Sequence, residues 1–267
     1  MSQHVKRLEQ AIGVCLLERR PRGVVPTAEG LVLRQAATDS IVGLDQALRR
    51  LTELARDGVG SVRITTGAIT VRHFMSEAVI AFRRRHPAAS LELRTKTSSR
   101  TCFESLAAGT VDLAWVTIIA PLRGIEQRPV VELPWVVAVR ADDPFARRSA
   151  LTAADLARLR PILPPENSSS RAHLNASLAR LNVTPGPDSG TADWDSAVLL
   201  AELGIGHALV PALPGWQSVD VANTPLRFLP VPELPPLVVG WAVRQWETLG
   251  PLAREFAETV VRHCEAR

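Results

Sequence analysis

Three short segments concentrate hydroxyl side chains beside predicted helix starts, and their chemistry suits a small anion. Residues 66–70 follow an apolar strand, whereas residues 97–100 and 167–171 each precede a predicted helix. Hydroxyl groups and the free backbone N–H groups of a helix N-terminus together suit a carboxylate or another small anion. Because Ser and Thr also cap helices and form turns, capping is an equal alternative for each of these residues.

Catalysis is the contrasting function, and the spacing of the reactive residues argues against it. The serines of residues 168–170 precede His173, but no Gly-x-Ser-x-Gly motif accompanies them. Gly204-x-Gly206 lacks the third glycine of a dinucleotide-binding motif. The sequence therefore predicts no catalytic residue, no cofactor and no enzyme activity.

The residues that could bind a metal are dispersed along the chain. Cys15, Cys102 and Cys264 lie far apart, and Glu202 and His207 lack the spacing of metal ligands. We therefore expect neither a metal site nor a disulfide framework, and buried thiols are the simpler interpretation of the cysteines.

Basic residues near the amino end could contact nucleic acid. Lys6, Arg7, Arg20 and Arg22 all lie within the first two dozen positions. The net charge is only +4, from 31 Lys and Arg against 27 Asp and Glu. Since charged runs are common on solvated surfaces, the charge pattern alone favours a solvated helix and turn over nucleic-acid binding.

The segments that carry these basic residues are predicted to be a helix and a β-hairpin. Val5, Leu8 and Ile12 recur at spacings of three and four, which places them on one face of a helix. Residues 14–18 and 24–26 are extended runs, and the intervening Arg-Arg-Pro-Arg-Gly favours a turn.

A long helix is predicted next, with Thr27 as its N-cap. No strong helix breaker occurs before Asp57, and apolar residues recur at alternating spacings of four and three. This apolar stripe consists of Ala37, Ile41, Leu44, Leu48, Leu51 and Ala55. Such a narrow stripe favours pairing with a second copy of the helix, so we predict a dimer. Packing of the stripe against the protein's own globular part is the alternative.

From residue 61 onward, short apolar strands alternate with amphipathic helices. The predicted strands are residues 62–64, 91–93, 111–118, 134–139, 208–210, 226–229 and 238–243. Thr152 and Asp155 form a capping box at the start of one helix. The alternation predicts an α/β fold with a mainly parallel sheet.

The length and composition are those of a globular protein with room for two domains. The chain has 267 residues, of which 46% are hydrophobic. No stretch approaches the ~18 apolar residues of a membrane span, and the amino end lacks the apolar segment of a secretory signal. We therefore expect a cytoplasmic protein with no membrane partner.

Several motifs, taken in order, resemble the LysR-type transcriptional regulators. Near the amino end these are SQHVKRLE at residues 2–9, GV-x-LLER at residues 13–19 and PT-x-x-G at residues 26–30. Later ones are F-x-x-x-HP at residues 82–87, L-x-x-G-x-x-DLA at residues 106–114 and LGIG-x-AL-x-P at residues 203–211. Their order and spacing carry the resemblance over essentially the whole chain.

The resemblance implies a domain organisation. Residues 1–30 would form the recognition helix and wing of a partial winged helix-turn-helix, and residues 31–60 the dimerising linker helix. Residues 61–267 would form a two-lobed effector-binding domain similar to type II periplasmic binding proteins. Lobe boundaries are expected at residues 61–140 with 222–267 for the first lobe, and at residues 141–221 for the second.

The resemblance also implies roles for individual residues. The recognition helix would enter the major groove of promoter DNA and the wing would contact the phosphates. The expected DNA-binding residues are Ser2, Gln3, Lys6, Arg7, Arg20 and Arg22. The cleft between the lobes would bind a small-molecule effector, with an anion among the ligand types that its groups suit. The expected effector-binding residues are Thr70, Ser98, Ser99, Thr117, Ser168, Ser169 and Trp194, with Asp193 near the crossover between the lobes.

Members of this family normally carry two further helices before the recognition helix, whereas this sequence starts inside it. We therefore expect truncation within the helix-turn-helix, by a misassigned start or a real loss, and impaired DNA binding of the chain as given. The expected protein is a LysR-type regulator that responds to a small molecule as a homodimer or homotetramer. A stand-alone small-molecule-binding module that has lost DNA binding is the alternative.

Overall fold

The chain divides into two compact units, Met1–Asp57 and Gly58–Arg267. The computed structural model describes residues 3–21, 23–55, 60–96, 98–164, 166, 168–184, 186, 189–191, 193–214 and 225–266, apart from the side chains of residues 46, 49, 50, 53–55, 68 and 189. None of the helices in these ranges is both long and apolar enough to cross a membrane.

The first unit has the predicted order of helix, hairpin and long helix. Its elements are α1 (Gln3–Ile12), β1 (Leu17–Arg20), β2 (Gly23–Pro26) and α2 (Ala28–Ala55). Helix α1 ends at Gly13, whose φ of +70° lies in the left-handed region that glycine reaches without steric cost. The two strands pair in antiparallel fashion, from Leu17 opposite Pro26 to Arg20 opposite Gly23.

Thr27 caps α2, as the sequence predicts. Its hydroxyl oxygen accepts a hydrogen bond from the backbone N–H of Gly30 at 3.0 Å. The same hydroxyl donates to the carbonyl of Cys15 at 2.8 Å, and the Thr27 N–H donates to the carbonyl of Leu16 at 2.9 Å. The start of α2 is therefore fastened to the segment that leads into the hairpin.

The second unit is an α/β structure. In chain order its strands are β3 (Ser61–Thr66), β4 (Ser90–Thr95), β5 (Leu113–Thr117), β6 (Glu126–Leu133), β7 (Trp135–Arg140), β8 (Pro161–Leu163), β9 (Ser189–Gly190), β10 (His207–Pro211), β11 (Leu226–Pro230) and β12 (Leu237–Val243). Its helices are α3 (Ala68–Thr70), a π-helix (Val71–Met75), α4 (Ser76–Arg85), α5 (Ser99–Ala107), a 3-10 helix (Pro144–Arg147), α6 (Ala153–Leu156), α7 (Ser169–Arg180), α8 (Trp194–Glu202) and α9 (Pro251–Glu265).

Two separate sheets organise this unit, with strand orders β4-β3-β5-β12-β6 and β11-β7-β10-β8-β9. In the first sheet β3 is parallel to β4 and β5, but β12 is antiparallel to β5 and β6. In the second, β8 is parallel to β9 and β10, but β7 is antiparallel to β10 and β11. The prediction of a mainly parallel sheet is therefore wrong. The chain passes directly from β6 in the first sheet to β7 in the second, and from β11 in the second sheet to β12 in the first. Neither connection is the helical βαβ crossover that joins parallel strands.

We call the part built on the first sheet lobe 1 and the part built on the second sheet lobe 2. The chain passes from one to the other between Leu133 and Trp135, and returns between Pro230 and Leu237. The lobe boundaries expected from the sequence need correction at two strands. The expected boundaries place β7 and β11 in the first lobe. In the structure β11 pairs with β7, and β7 pairs with β10, so both strands belong to lobe 2.

Strand β6 was not predicted from the sequence. It contains Pro129, which lacks the N–H that a central strand must donate. The structure places β6 at the edge of the first sheet, where it pairs with β12 alone. A bulge between Val239 and Gly240 accompanies this pairing, and a Cβ on Gly240 would overlap the carbonyl oxygen of Arg128.

An aromatic cluster supports the wall of lobe 1 that faces the candidate site. Trp115 on β5 packs edge-on against Trp241 on β12, with ring centroids 5.0 Å apart. The ring centroid of Phe74 lies 5.3 Å from that of Trp115. The ring centroid of Phe256 on α9 lies 6.4 Å from that of Trp241. These contacts fix the positions of Phe74 and Trp115.

Candidate functional site

A cavity of about 510 Å³ is lined by residues from both lobes of the second unit. We call it the interlobe cavity. In lobe 1, Thr95 and Thr117 are the last residues of β4 and β5, and Gly67 directly follows β3. The cavity therefore lies at the carboxyl ends of parallel strands, where open α/β sheets bind their ligands. Its lining in lobe 2 comes from the starts of α7 and α8.

The start of α5 forms one part of the wall. Ser98 is the N-cap of this helix, and its hydroxyl oxygen accepts a hydrogen bond from the Thr101 N–H at 3.4 Å. The hydroxyl oxygen of Ser99 accepts one from the Thr117 N–H, also at 3.4 Å. Capping and cavity lining therefore occur together at this helix start, although the sequence presents them as alternatives.

The starts of α7 and α8 form the facing wall. Ser168 caps α7, accepting a hydrogen bond from the Arg171 N–H at 3.1 Å. Asp193 caps α8, and its carboxylate accepts hydrogen bonds from the Ser196 N–H at 2.8 Å and from the Ser196 hydroxyl at 3.1 Å. Together with α5, three helix N-termini border the cavity, and each favours negative charge nearby.

Two hydroxyl groups of largely buried residues in the lobe 1 wall have unused hydrogen-bonding capacity. Thr70 is 8% exposed and Thr117 is 7% exposed, and both line the cavity. Neither side-chain hydroxyl has a hydrogen-bond partner within the ranges that the structure describes. Because these hydroxyls line the cavity without a protein partner, they can donate hydrogen bonds to a ligand or accept them from it.

The cavity also contains charged and ionisable side chains. Lys96 lies in lobe 1, whereas Asp193 and Asp195 lie in lobe 2. Cys102 is a buried residue of the same lining, and burial raises the pKa of its thiol above the usual value. The Thr65 hydroxyl donates to the Cys102 Sγ at 3.6 Å. The thiol is thus neutral near pH 7, and Lys96 is the cation among the described residues of the lining.

The structure brings every predicted effector-binding residue to this one cavity. Thr70, Ser98, Ser99, Thr117, Ser168, Ser169 and Trp194 all line it. That they bind an effector stays a prediction. The sequence interpretation did not include Lys96 and Asp195. Lys96 follows the last residue of β4 and Asp195 is the second residue of α8, so the rule that selected their neighbours could have found them.

The predicted DNA-binding residues lie in the first unit. Gln3, Lys6 and Arg7 are exposed on α1, and Arg20 ends β1. Arg20 forms an ion pair with Glu18 at 2.5 Å, which offsets part of the positive charge of the hairpin. Ser2 and Arg22 lie outside the described residues.

The arrangement of the serines and His173 does not form a nucleophile–base pair. The ring Nε2 of His173 lies 3.3 Å from the carbonyl oxygen of Pro235, so this nitrogen carries the proton and donates it there. The hydroxyls of Ser168 and Ser170 lie 3.1 Å from each other. No cluster of His, Cys, Asp or Glu able to hold a metal occurs in the part of the chain that the structure describes.

Two family models match the chain. Residues 55–265 match the LysR substrate binding domain, and residues 1–31 match the bacterial regulatory helix-turn-helix protein, lysR family. The HTH-type transcriptional regulator CbbR of Xanthobacter flavus is 30% identical over 254 residues, covering 92% of this chain and 72% of that protein.

Solved structures show the same fold at lower sequence identity. The crystal structure of full-length BenM has a TM-score of 0.67 at 23% identity and covers 99% of this chain and 86% of its own. The effector binding domain of QuiR in complex with shikimate has a TM-score of 0.67 at 18% identity, covering 78% of this chain and 98% of that one.

Proposed function

The chain belongs to the LysR family of transcriptional regulators, and we propose that a small-molecule effector regulates it by binding in the interlobe cavity. LysR regulators bind DNA and small-molecule effectors. For this chain we assign effector binding to Thr70, Ser98, Ser99, Thr117, Ser168, Ser169 and Trp194.

The observation that carries this proposal is the pair of Thr70 and Thr117 hydroxyls, which belong to largely buried residues, line the cavity and have no hydrogen-bond partner among the described residues. A hydroxyl that opens into a cavity without a protein partner is available to donate a hydrogen bond to a ligand or to accept one. The cavity volume of about 510 Å³ lies within the range of small-molecule sites. The lining groups also come from both lobes, so one ligand would contact both.

A ligand that contacts both lobes provides a physical means of regulation. It stabilises the lobe arrangement in which its contacts are best, and shifts the population toward that arrangement. We infer that this shift changes the spacing of the DNA contacts in an oligomer, which couples effector binding to DNA binding.

We assign DNA binding to α1 and the hairpin. Gln3 is suited to base edges, whereas Lys6, Arg7 and Arg20 are suited to phosphates. Ser2 and Arg22 belong to the same proposed set. Fluorescence anisotropy with duplexes from the gene's own upstream region should show weak affinity that falls as salt is raised, with a shallower salt dependence in Lys6→Ala and Arg7→Ala. An unchanged salt dependence would exclude these phosphate contacts.

We propose dimerisation through α2, with a tetramer formed by the effector-binding lobes as the larger alternative. The stripe residues Ile41, Leu44, Leu48 and Leu51 are 69%, 62%, 53% and 62% exposed in the single chain. A row of exposed leucine and isoleucine at heptad spacing is stabilised by pairing with an identical helix. We place the regulator in the cytoplasm, with no enzymatic role.

A thermal-shift screen of a broad metabolite library tests the effector assignment. A ligand that binds only the native state raises the unfolding midpoint. Affinity should fall about tenfold in the double variant Thr70→Val with Thr117→Val, because two hydrogen bonds are lost without loss of volume. Thr248→Val is the matched control, since that hydroxyl is exposed and donates to Gln245. The proposal is wrong if no compound raises the midpoint, or if the double variant binds its ligand as the control does.

A further inference from the structure

The two walls of the interlobe cavity carry opposite charges that no described protein group neutralises. Lys96 lies in the lobe 1 wall and Asp195 in the lobe 2 wall. Neither side chain forms an ion pair or hydrogen bond with any described residue. Both are exposed, so both are accessible to a ligand that enters the cavity.

The neighbouring carboxylate of Asp193 already accepts hydrogen bonds within the protein. Its two oxygens accept hydrogen bonds from the N–H and the hydroxyl of Ser196, which is the usual role of an N-cap. Asp195 is the second residue of α8 and makes no such contact. Asp195 therefore supplies the carboxylate that is available to a ligand in lobe 2.

The lobe 1 wall is suited to an anionic group of the ligand. Lys96 supplies a positive charge, and the start of α5 at Ser98 and Ser99 adds the positive end of the helix dipole. The hydroxyls of Thr70 and Thr117 line the same cavity without a partner among the described residues and can donate to an anion. These groups together fit a carboxylate or a similar small anion.

The starts of α7 and α8 also favour negative charge, but a ligand with only an anionic group would leave the carboxylate of Asp195 without a counter-charge. Bringing a negative charge into a cavity that already contains two aspartates costs energy through like-charge repulsion. A second group of positive charge removes this cost and gains attraction to Asp195. Phe74, Trp115 and Trp194 supply apolar surface in the same lining for the uncharged part of such a molecule.

We propose that the effector is a small dipolar ion with an anionic group held by Lys96 and the start of α5, and a cationic group held by Asp195. Amino acids and related amino-carboxylates are the compounds of this class. The inference rests on the proposed function, because it assigns a ligand class to the same cavity. The ligand would join the lobes electrostatically, with one charge bound in each.

Isothermal titration calorimetry with matched sets of compounds tests this inference on the unmodified protein. Each set contains an amino acid, the carboxylic acid that lacks its amino group, and the amine that lacks its carboxylate. Examples are phenylalanine, hydrocinnamate and phenethylamine, or leucine, isocaproate and isopentylamine. We expect at least one proteinogenic amino acid to bind, and to bind about tenfold or more tightly than both of its partners.

Two charge-removing variants then assign each end of the ligand. Asp195→Asn should weaken binding of the amino acid about tenfold and leave the matched acid unchanged or tighter. Lys96→Met should weaken the amino acid and the acid alike. The matched controls should bind like the wild type. Glu202→Gln removes a carboxylate at the other end of α8, and Arg100→Gln removes a cation that pairs with Glu104 on α5.

The outcomes separate this inference from the proposed function. If an acid without an amino group binds as tightly as its amino acid, or if Asp195→Asn binds the amino acid like the wild type, the dipolar class is wrong while an effector site stands. If no amino acid binds but another metabolite in the broad screen does, the same conclusion follows. If nothing in that screen binds, both proposals fail. Because the matched sets use unmodified protein, a misfolded variant cannot obscure the result.

Discussion

The carboxylate of Glu9 accepts a hydrogen bond from the backbone N–H of Leu16 at 2.8 Å. The same oxygen accepts a second bond from the Leu17 N–H at 3.1 Å. Glu9 lies on α1, and these N–H groups lead into β1, so one side chain joins α1 to the hairpin. From the other side, Thr27 and Gly30 of the α2 start contact the Leu16 carbonyl. Leu16 is therefore held by both helices of the first unit.

Glu9→Ala should release the hairpin from α1. The substitution leaves the N–H groups of Leu16 and Leu17 without their charged acceptor, at an expected cost of about 1–3 kcal/mol. Hydrogen exchange should show faster exchange of these two amides, by about tenfold or more. Gln10→Ala, one position along the same helix, is the control and should leave both amides protected. Equal protection in the two variants would contradict the role of Glu9.

Gly30→Ala should destabilise the first unit although alanine is the better helix former. A Cβ at Gly30 would overlap the carbonyl oxygen of Leu16, whereas a Cβ at Gly43 on the same helix would meet no atom within 4 Å. We expect Gly30→Ala to lose about 1–3 kcal/mol of unfolding free energy through overpacking. Gly43→Ala should gain up to about 1 kcal/mol from helix propensity. Urea unfolding followed by circular dichroism measures both, and equal shifts in the two variants would disprove the close contact.

Leu44→Glu should abolish dimerisation if the stripe on α2 forms the interface. A carboxylate in the seam of two paired helices loses its hydration without gaining a partner. Sedimentation equilibrium should report a dimer for the wild type and a smaller species for the variant. Ala36→Glu introduces the same charge at an exposed position of α2 outside the stripe and should keep the wild-type mass. If both variants keep that mass, another surface forms the dimer.

Asp155 should make part of the stability of lobe 2 depend on pH. Its carboxylate accepts hydrogen bonds from the Thr152 N–H at 3.0 Å and the Thr152 hydroxyl at 2.9 Å, and pairs with Arg148 at 2.7 Å. The bond from the Thr152 N–H is the largest influence on the pKa of Asp155, which is lowered from the ordinary 3.8 despite the opposing effect of burial. Since the folded state prefers the charged form, this stabilisation is complete above the ordinary pKa and is lost as pH falls through the lowered one.

The corresponding variant, Asp155→Asn, should be less stable than the wild type near pH 7, by about 1–3 kcal/mol. The difference should shrink as pH falls below the ordinary value of 3.8. Urea unfolding at a series of pH values measures this difference, with the exposed Glu247→Gln as control. A difference that stayed constant across the series would show that the charge of Asp155 contributes nothing.

Local features of the fold could be predicted from the sequence because neighbouring residues produce them. The cap at Thr27 and the capping box of Thr152 and Asp155 follow from side chains that reach backbone groups a few positions away. The hairpin follows from a turn sequence between two short extended runs. In each case the stabilising contact lies within a short stretch of chain, so the residue pattern specifies it.

The direction and membership of strands were decided only by the tertiary structure. Strands β7 and β12 read as apolar runs, and nothing in their residues states which sheet they join or in which direction. The sequence does not predict strand β6, because Pro129 argues against a central strand. The structure places β6 at a sheet edge, where a proline is tolerated. Pairing partners lie far apart in sequence, so their identity depends on how the whole chain packs.

The candidate site divides in the same way. Residue types near predicted helix starts, together with the resemblance to a known family, selected the hydroxyl groups that line the cavity. The sequence could not show that Lys96 and Asp195, almost a hundred positions apart, lie in opposite walls of one cavity, because that relationship depends on the packing of the two lobes. The residues determined which groups could bind a ligand, and the packing of the two sheets determined which of them could bind the same one.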